Sequence, residues 1–112
     1  MCGATVVERL KSSDPAREAI VYEYNCGATT SFNAKVGIGS PGQDPLETDV
    51  AFSIQGQPVR LETGAYGGPV NALFRVRWTG PRDVEIRYPA GATVYERANR
   101  AAGVSLTYVV DR

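Results

Sequence analysis

The stretch Phe74-Arg75-Val76-Arg77-Trp78-Thr79-Gly80-Pro81-Arg82-Asp83-Val84-Glu85-Ile86-Arg87-Tyr88 alternates apolar with charged or polar residues on both sides of a Gly-Pro turn. A period of two puts Phe74, Val76 and Trp78 on one face of a strand and Arg75 and Arg77 on the other. With Gly80-Pro81-Arg82 as the loop, Thr79 faces Asp83. Trp78 then pairs with Val84, Arg77 with Glu85, Val76 with Ile86, and Arg75 with Arg87. Each pair joins residues of like polarity, whereas a slip of one residue would turn every apolar side chain to water. The stretch reads as a β-hairpin with one buried and one wet face.

The same alternation extends outward from the hairpin. Ile20, Tyr22 and Tyr24 form one apolar stripe, and Phe32, Ala34, Val36 and Ile38 a second. Val50, Phe52 and Ile54, then Val59 and Leu61, then Val94, and finally Val104, Leu106, Tyr108 and Val110 continue the pattern. Half-buried strands separated by Gly and Pro turns make an antiparallel sheet that folds on itself, so a mainly β fold is expected, a β-sandwich or small open barrel with little helix. At 112 residues the chain is one domain, 1–112. Asp14-Pro15 reads as a turn entering a strand. Glu96 to Ala102 has the propensity for a turn or two of helix before Gly103 stops it.

Composition narrows the chemistry. Lys plus Arg balances Asp plus Glu, 12 against 12, which removes the basic footprint of a duplex-binding protein. No apolar run reaches the roughly 20 residues of a membrane span, so a soluble chain is expected. Histidine is absent, which excludes Ser-His and Cys-His nucleophile pairs and every imidazole zinc site. Two cysteines cannot build a four-thiolate site, and Asp44, Glu47 and Asp49 lack the pattern of a calcium loop. No metal or other cofactor is expected.

Gly37-Ile38-Gly39-Ser40-Pro41-Gly42 matches the dinucleotide fingerprint by letter. That fingerprint needs a helix N-terminus to receive the pyrophosphate, and Gly42 and Pro45 interrupt any helix here. A mobile turn after a strand is the better reading. Gly64 to Pro69 lacks the Lys and Ser/Thr of a phosphate loop and reads as a flexible connection, with Tyr66 capping the core edge. The tetrapeptide Cys-Gly-Ala-Thr occurs at Cys2 and again at Cys26, with unrelated sequels. Around the second copy, Asn25, Gly27, Thr29, Thr30 and Ser31 form a candidate polar turn, in which Gly27 is free to take positive φ and the hydroxyls bond nearby backbone.

The segment from Ile20 to Val36, with Cys26-Gly27-Ala28-Thr29-Thr30-Ser31-Phe32 at its centre, resembles a family of small bacterial proteins. So do Val76-Arg77-Trp78 and Val84 to Pro89. Members of that family often occur as cell-envelope proteins or lipoproteins. The resemblance implies no activity. It implies a cell-envelope or periplasm-like location, or a cytoplasmic one if Met1 is the native start. Lipoprotein-like members carry a leader that ends at a lipidated cysteine, a role the resemblance offers to Cys2.

Cys2 and Cys26 are therefore a candidate disulfide, or Cys2 a lipidated thiol. Because residues beside a terminus fray, a shielded Cys26 thiol with a reactive Cys2 is expected ahead of the bridge. Arg75, Arg77, Glu85 and Arg87 form a candidate docking patch for an anion or partner, since two opposed arginines repel unless Glu85 or an anion sits between them. The leading functional reading is a non-catalytic, envelope-associated binding domain whose partner is another protein or an envelope component. Two alternatives belong to other classes. One is an inhibitor or immunity-type protein, and the other an enzyme using Cys26 or a neighbouring hydroxyl.

Overall fold

The computed structural model describes residues 3–13, 15–26, 33–67 and 74–112. Two sheets pack face to face as a β-sandwich. The first runs in the order β1 (Gly3–Lys11), β2 (Glu18–Asn25), β3 (Asn33–Gly39), β4 (Asp49–Gln55), β7 (Val94–Arg97). The second runs β5 (Arg75–Gly80), β6 (Asp83–Pro89), β9 (Val104–Asp111), β8 (Arg100–Ala101). Among the described residues all strand pairings are antiparallel except one. β6 and β9 run parallel, with Ile86 opposite Tyr108 and Pro89 opposite Asp111, where an all-antiparallel sheet was expected.

The hairpin takes the expected register from Arg75↔Arg87 to Trp78↔Val84. Only its tip differs: Gly80 pairs with Asp83 and Thr79 is the extra residue. Pro81, with its fixed φ, leads a two-residue turn instead of sitting mid-loop. Trp78 is half-buried rather than enclosed, and its indole N–H donates to the Leu10 carbonyl at 2.8 Å, tying edge strand β5 to edge strand β1.

The inner faces meet around Phe52, which is fully buried and has the rings of Tyr88, Phe74 and Tyr108 at 5.5, 5.7 and 6.0 Å between centroids. Ala34, Val36 and Ile38 of β3 and Val84, Ile86, Val104 and Leu106 of the second sheet complete this core. In β2 the expected parity is reversed. Ala19 and Val21, opposite Ile38 and Val36, face the other sheet. Ile20 and Tyr22 point outward and are still buried, at 0% and 2% exposure.

What buries them is the segment 40–48, which folds back over the outer face of the first sheet. Gly37 and Gly39 form the floor beneath it, for a Cβ at either would collide with the side chain of Thr48 or Gln43. The Gly37–Gly42 motif is thus a close-approach surface, not a mobile turn. The buried Glu18 carboxylate anchors the strap by accepting from the Gly42 N–H at 3.2 Å and from Arg9 at 2.7 Å. Arg9 also donates to the Gln43 carbonyl at 3.1 Å. A single 3-10 turn, Pro45–Glu47, is capped by Asp44, whose carboxylate accepts from the Leu46 N–H. Covering Ile20 and Tyr22 in this way stabilises the fold by about 1.5–3 kcal/mol for each side chain.

The expected helical turn at Glu96–Ala102 is absent. β7 and β8 occupy it, and Ala102 and Gly103, with φ of 48° and 79°, form the two-residue turn into β9. Positive φ at both central positions matches the right-handed twist of a hairpin, which outweighs the propensity of a short segment for helix. The strained alanine is held from the first sheet: Arg17 donates to its carbonyl at 2.9 Å, and Asp49 accepts from its N–H at 2.8 Å.

Burial pushes the Tyr22 and Tyr108 hydroxyls up to about 12. The charges of Glu96 and Tyr24 add to burial at Tyr22. Tyr66 is pushed up as well, first by burial and then by its hydrogen bond to Glu8. The folded state therefore prefers neutral phenols. The stabilisation is complete below the ordinary tyrosine value of about 10 and is lost as pH rises toward 12. Urea unfolding followed across that window should show stability falling with pH, and Tyr22→Phe should flatten the fall. A profile unchanged by Tyr22→Phe would contradict this account.

Candidate functional site

On the outer face of the second sheet, alternation along β5 and β6 leaves Arg75, Arg77, Glu85 and Arg87 pointing to solvent. The four line one shallow recess of about 150 Å³. Arg77 and Glu85 form a two-pronged pair, Nε to Oε1 at 3.0 Å and Nη2 to Oε2 at 3.4 Å. Through that hydrogen bond first, and through the charges of Arg77 and then Arg87, the Glu85 carboxyl is held below its ordinary value; the little burial it has opposes this. Glu85 is thus an ionised acceptor already engaged on one side.

Arg75 and Arg87 sit directly opposite each other. Each also has a partner of its own. Arg75 donates to the Thr63 carbonyl at 2.8 Å. Arg87 faces Asp111 at 3.7 Å, an ion pair too long to be a hydrogen bond. With three arginines against one engaged glutamate, the recess is cationic and its guanidinium forks suit carboxylates or phosphates.

The hairpin pattern brought these four residues together correctly. It missed Asp111, which arrives only through the parallel β6–β9 ladder that sets Arg87 opposite Val109 and Pro89 opposite Asp111. It also missed the ring of Glu8, Arg60 and Tyr66. There the buried Tyr66 hydroxyl donates to Glu8 in a short hydrogen bond, and Arg60 donates to the same oxygen at 3.1 Å. Tyr66 bridges to Arg60 on one side and Phe74 on the other, so the segment expected to be a flexible connection is bound to the core at this residue. The bulge at Val7, which turns Glu8 onto the inner face opposite Val21, is why alternation along the sequence did not show it.

The cysteine region divides. Asn25 ends β2 and is half-buried. Gly27, Thr29, Thr30, Ser31 and Cys2 lie outside the described residues. Cys26 is disulfide-bonded, not the free shielded thiol expected, and Cys2 is the one other cysteine in the chain. Gly3 and Asn25, the sequence neighbours of the two cysteines, are a registered pair of the β1–β2 ladder.

Among the described residues no cluster of three His, Cys, Asp or Glu side chains could hold a metal ion, and no helix is long and apolar enough to cross a membrane. No protein-family model, curated protein or solved structure matches the chain. The candidate site therefore stands on its geometry.

Proposed function

We propose that this chain is a non-catalytic binding domain of the bacterial cell envelope that docks an anionic protein or surface component on the arginine face of its second sheet. The observation that carries this reading is the opposition of Arg75 and Arg87 in a solvent-facing recess whose one carboxylate, Glu85, is taken by Arg77. An anion placed between the two guanidinium groups relieves their repulsion and gains charge-assisted hydrogen bonds. The disulfide at Cys26 supports an oxidising compartment, in keeping with the family resemblance, and removes that sulfur as a nucleophile.

Titration with inorganic phosphate at low and high salt, observed through the arginine side-chain NMR signals, tests this. Arg75 and Arg87 signals should move, and the affinity should fall as salt rises. Signals that stay fixed at every phosphate concentration would overturn the docking assignment.

A further inference from the structure

Beside the arginine recess lies a second cavity of about 230 Å³, which shares Arg75 and Arg87 with it. Among the described residues its other walls are Ala65, Phe74, Pro89 and Asp111. Ala65 and Phe74 are buried, at 2% exposure each, and belong to the packed end of the sandwich. Tyr66 stacks on Phe74 at 5.3 Å between ring centroids and holds that ring in place. The cavity therefore has an apolar floor fixed by the core and two guanidinium groups at its rim.

We infer that this cavity binds a small apolar carboxylate, an aromatic or branched aliphatic group carrying one carboxyl, with the acid on Arg87 and Arg75 and the apolar group against Phe74, Ala65 and Pro89. The inference rests on the arginine face being a ligand face and adds the class of ligand. Size sets the first limit, since the volume is below the usual range for drug-sized ligands and suits a group of about one side chain. Charge sets the second. The apolar walls give a fully hydrated polyanion nothing to bury against, whereas a monocarboxylate with an apolar body satisfies both floor and rim.

Asp111 already shows the rim's preference, because its carboxylate stands off Arg87 at 3.7 Å with about half of each side chain exposed, 54% and 46%. Among the described residues Arg87 has no closer acceptor. An incoming carboxylate that reaches hydrogen-bond distance takes the place Asp111 holds loosely, and Asp111 acts as an internal competitor that lowers the affinity for it. The same chemistry is offered by a free organic acid and by the C-terminus of a peptide with an apolar last residue.

The test titrates the folded protein with phenylacetate, phenylacetamide, inorganic phosphate, and a short glycine peptide ending in phenylalanine with a free carboxyl terminus. The readouts are the Ala65 methyl, the Phe74 ring and the Arg87 side-chain NMR signals. Phenylacetate should move all three, and phenylacetamide should bind about tenfold more weakly or not at all. Arg87→Gln should weaken phenylacetate by about tenfold, and Asp111→Asn should tighten it. Both substitutions are at exposed positions, and unchanged spectra elsewhere establish that the variants fold. Tighter binding of the peptide than of phenylacetate identifies a chain terminus as the source, and the reverse a free acid. Equal response to acid and amide, or phosphate shifts at Arg87 without any phenylacetate shift at Ala65 and Phe74, would overturn the inference while leaving anion docking intact. No response to any of the four would overturn both.

Discussion

Truncating Phe52 to alanine is expected to lower the unfolding free energy by about 3 to 5 kcal/mol, the range for a buried aromatic whose cavity cannot collapse. Phe52 has no exposed surface. It is ringed by Phe74 and Tyr88 and by Tyr108, whose hydroxyl is itself fixed by the Ala98 and Ala51 carbonyls at 2.7 and 2.9 Å. With its neighbours held by both sheets, little can move in to fill the hole. For a domain whose total stability is about 5 to 15 kcal/mol, such a loss brings the protein close to unfolding at ordinary temperature. Tyr95→Ala is the matched control, because that ring is 53% exposed and should change stability by no more than about 0.5 kcal/mol. Urea melts of both variants check this, and a Phe52→Ala loss below about 1 kcal/mol would remove Phe52 from the centre of the core.

Removing the disulfide at Cys26, by reduction or by Cys26→Ser, should cost on the order of 3 kcal/mol, the loop-closure value for a bridge between cysteines 24 positions apart. The damage should be local as well as global. Among the described residues β1 is an edge strand that pairs with β2 alone, and the Val7 bulge separates its first four registered pairs from the rest. Without the tether, amide exchange should quicken from Gly3 to Val6 and remain slow at Leu10, beside the Trp78 hydrogen bond. Under non-reducing conditions the intact mass should be two hydrogens lighter than the dithiol, with no labelling of either cysteine. Rapid labelling of Cys26 in the untreated protein would defeat the prediction.

The β5–β6 register was legible because each face there has one character, with charge outside and hydrocarbon inside. β2 was not, because counting parity presumes a single buried face. Ile20 and Tyr22 are buried by a strap folded over the outer side, so the larger residues pointed the reading the wrong way. The strap was hidden in its own glycines: Gly37 and Gly39 are spaced as in a nucleotide motif, and nothing in their spacing tells a floor from a turn. The arginine patch followed from local alternation. Asp111 and the apolar cavity did not, because they depend on which strand lies beside β6, and strand order is set by packing across the whole chain rather than by any one segment.

The parallel β6–β9 ladder has a kinetic side. The hairpins β5–β6 and β8–β9 close over two-residue turns and can form within microseconds. Joining them requires the chain between β6 and β9 to reach the first sheet, lay down β7 against β4, and return as β8. Until it does, the inner edge of β6 has no partner, and a bare edge of alternating Val, Ile and Tyr is a template for other chains. The β6–β9 closure is one of several long-range steps this sandwich needs, alongside β7 on β4 and the Trp78–Leu10 tie, and the interval before it leaves the chain open to association with copies of itself.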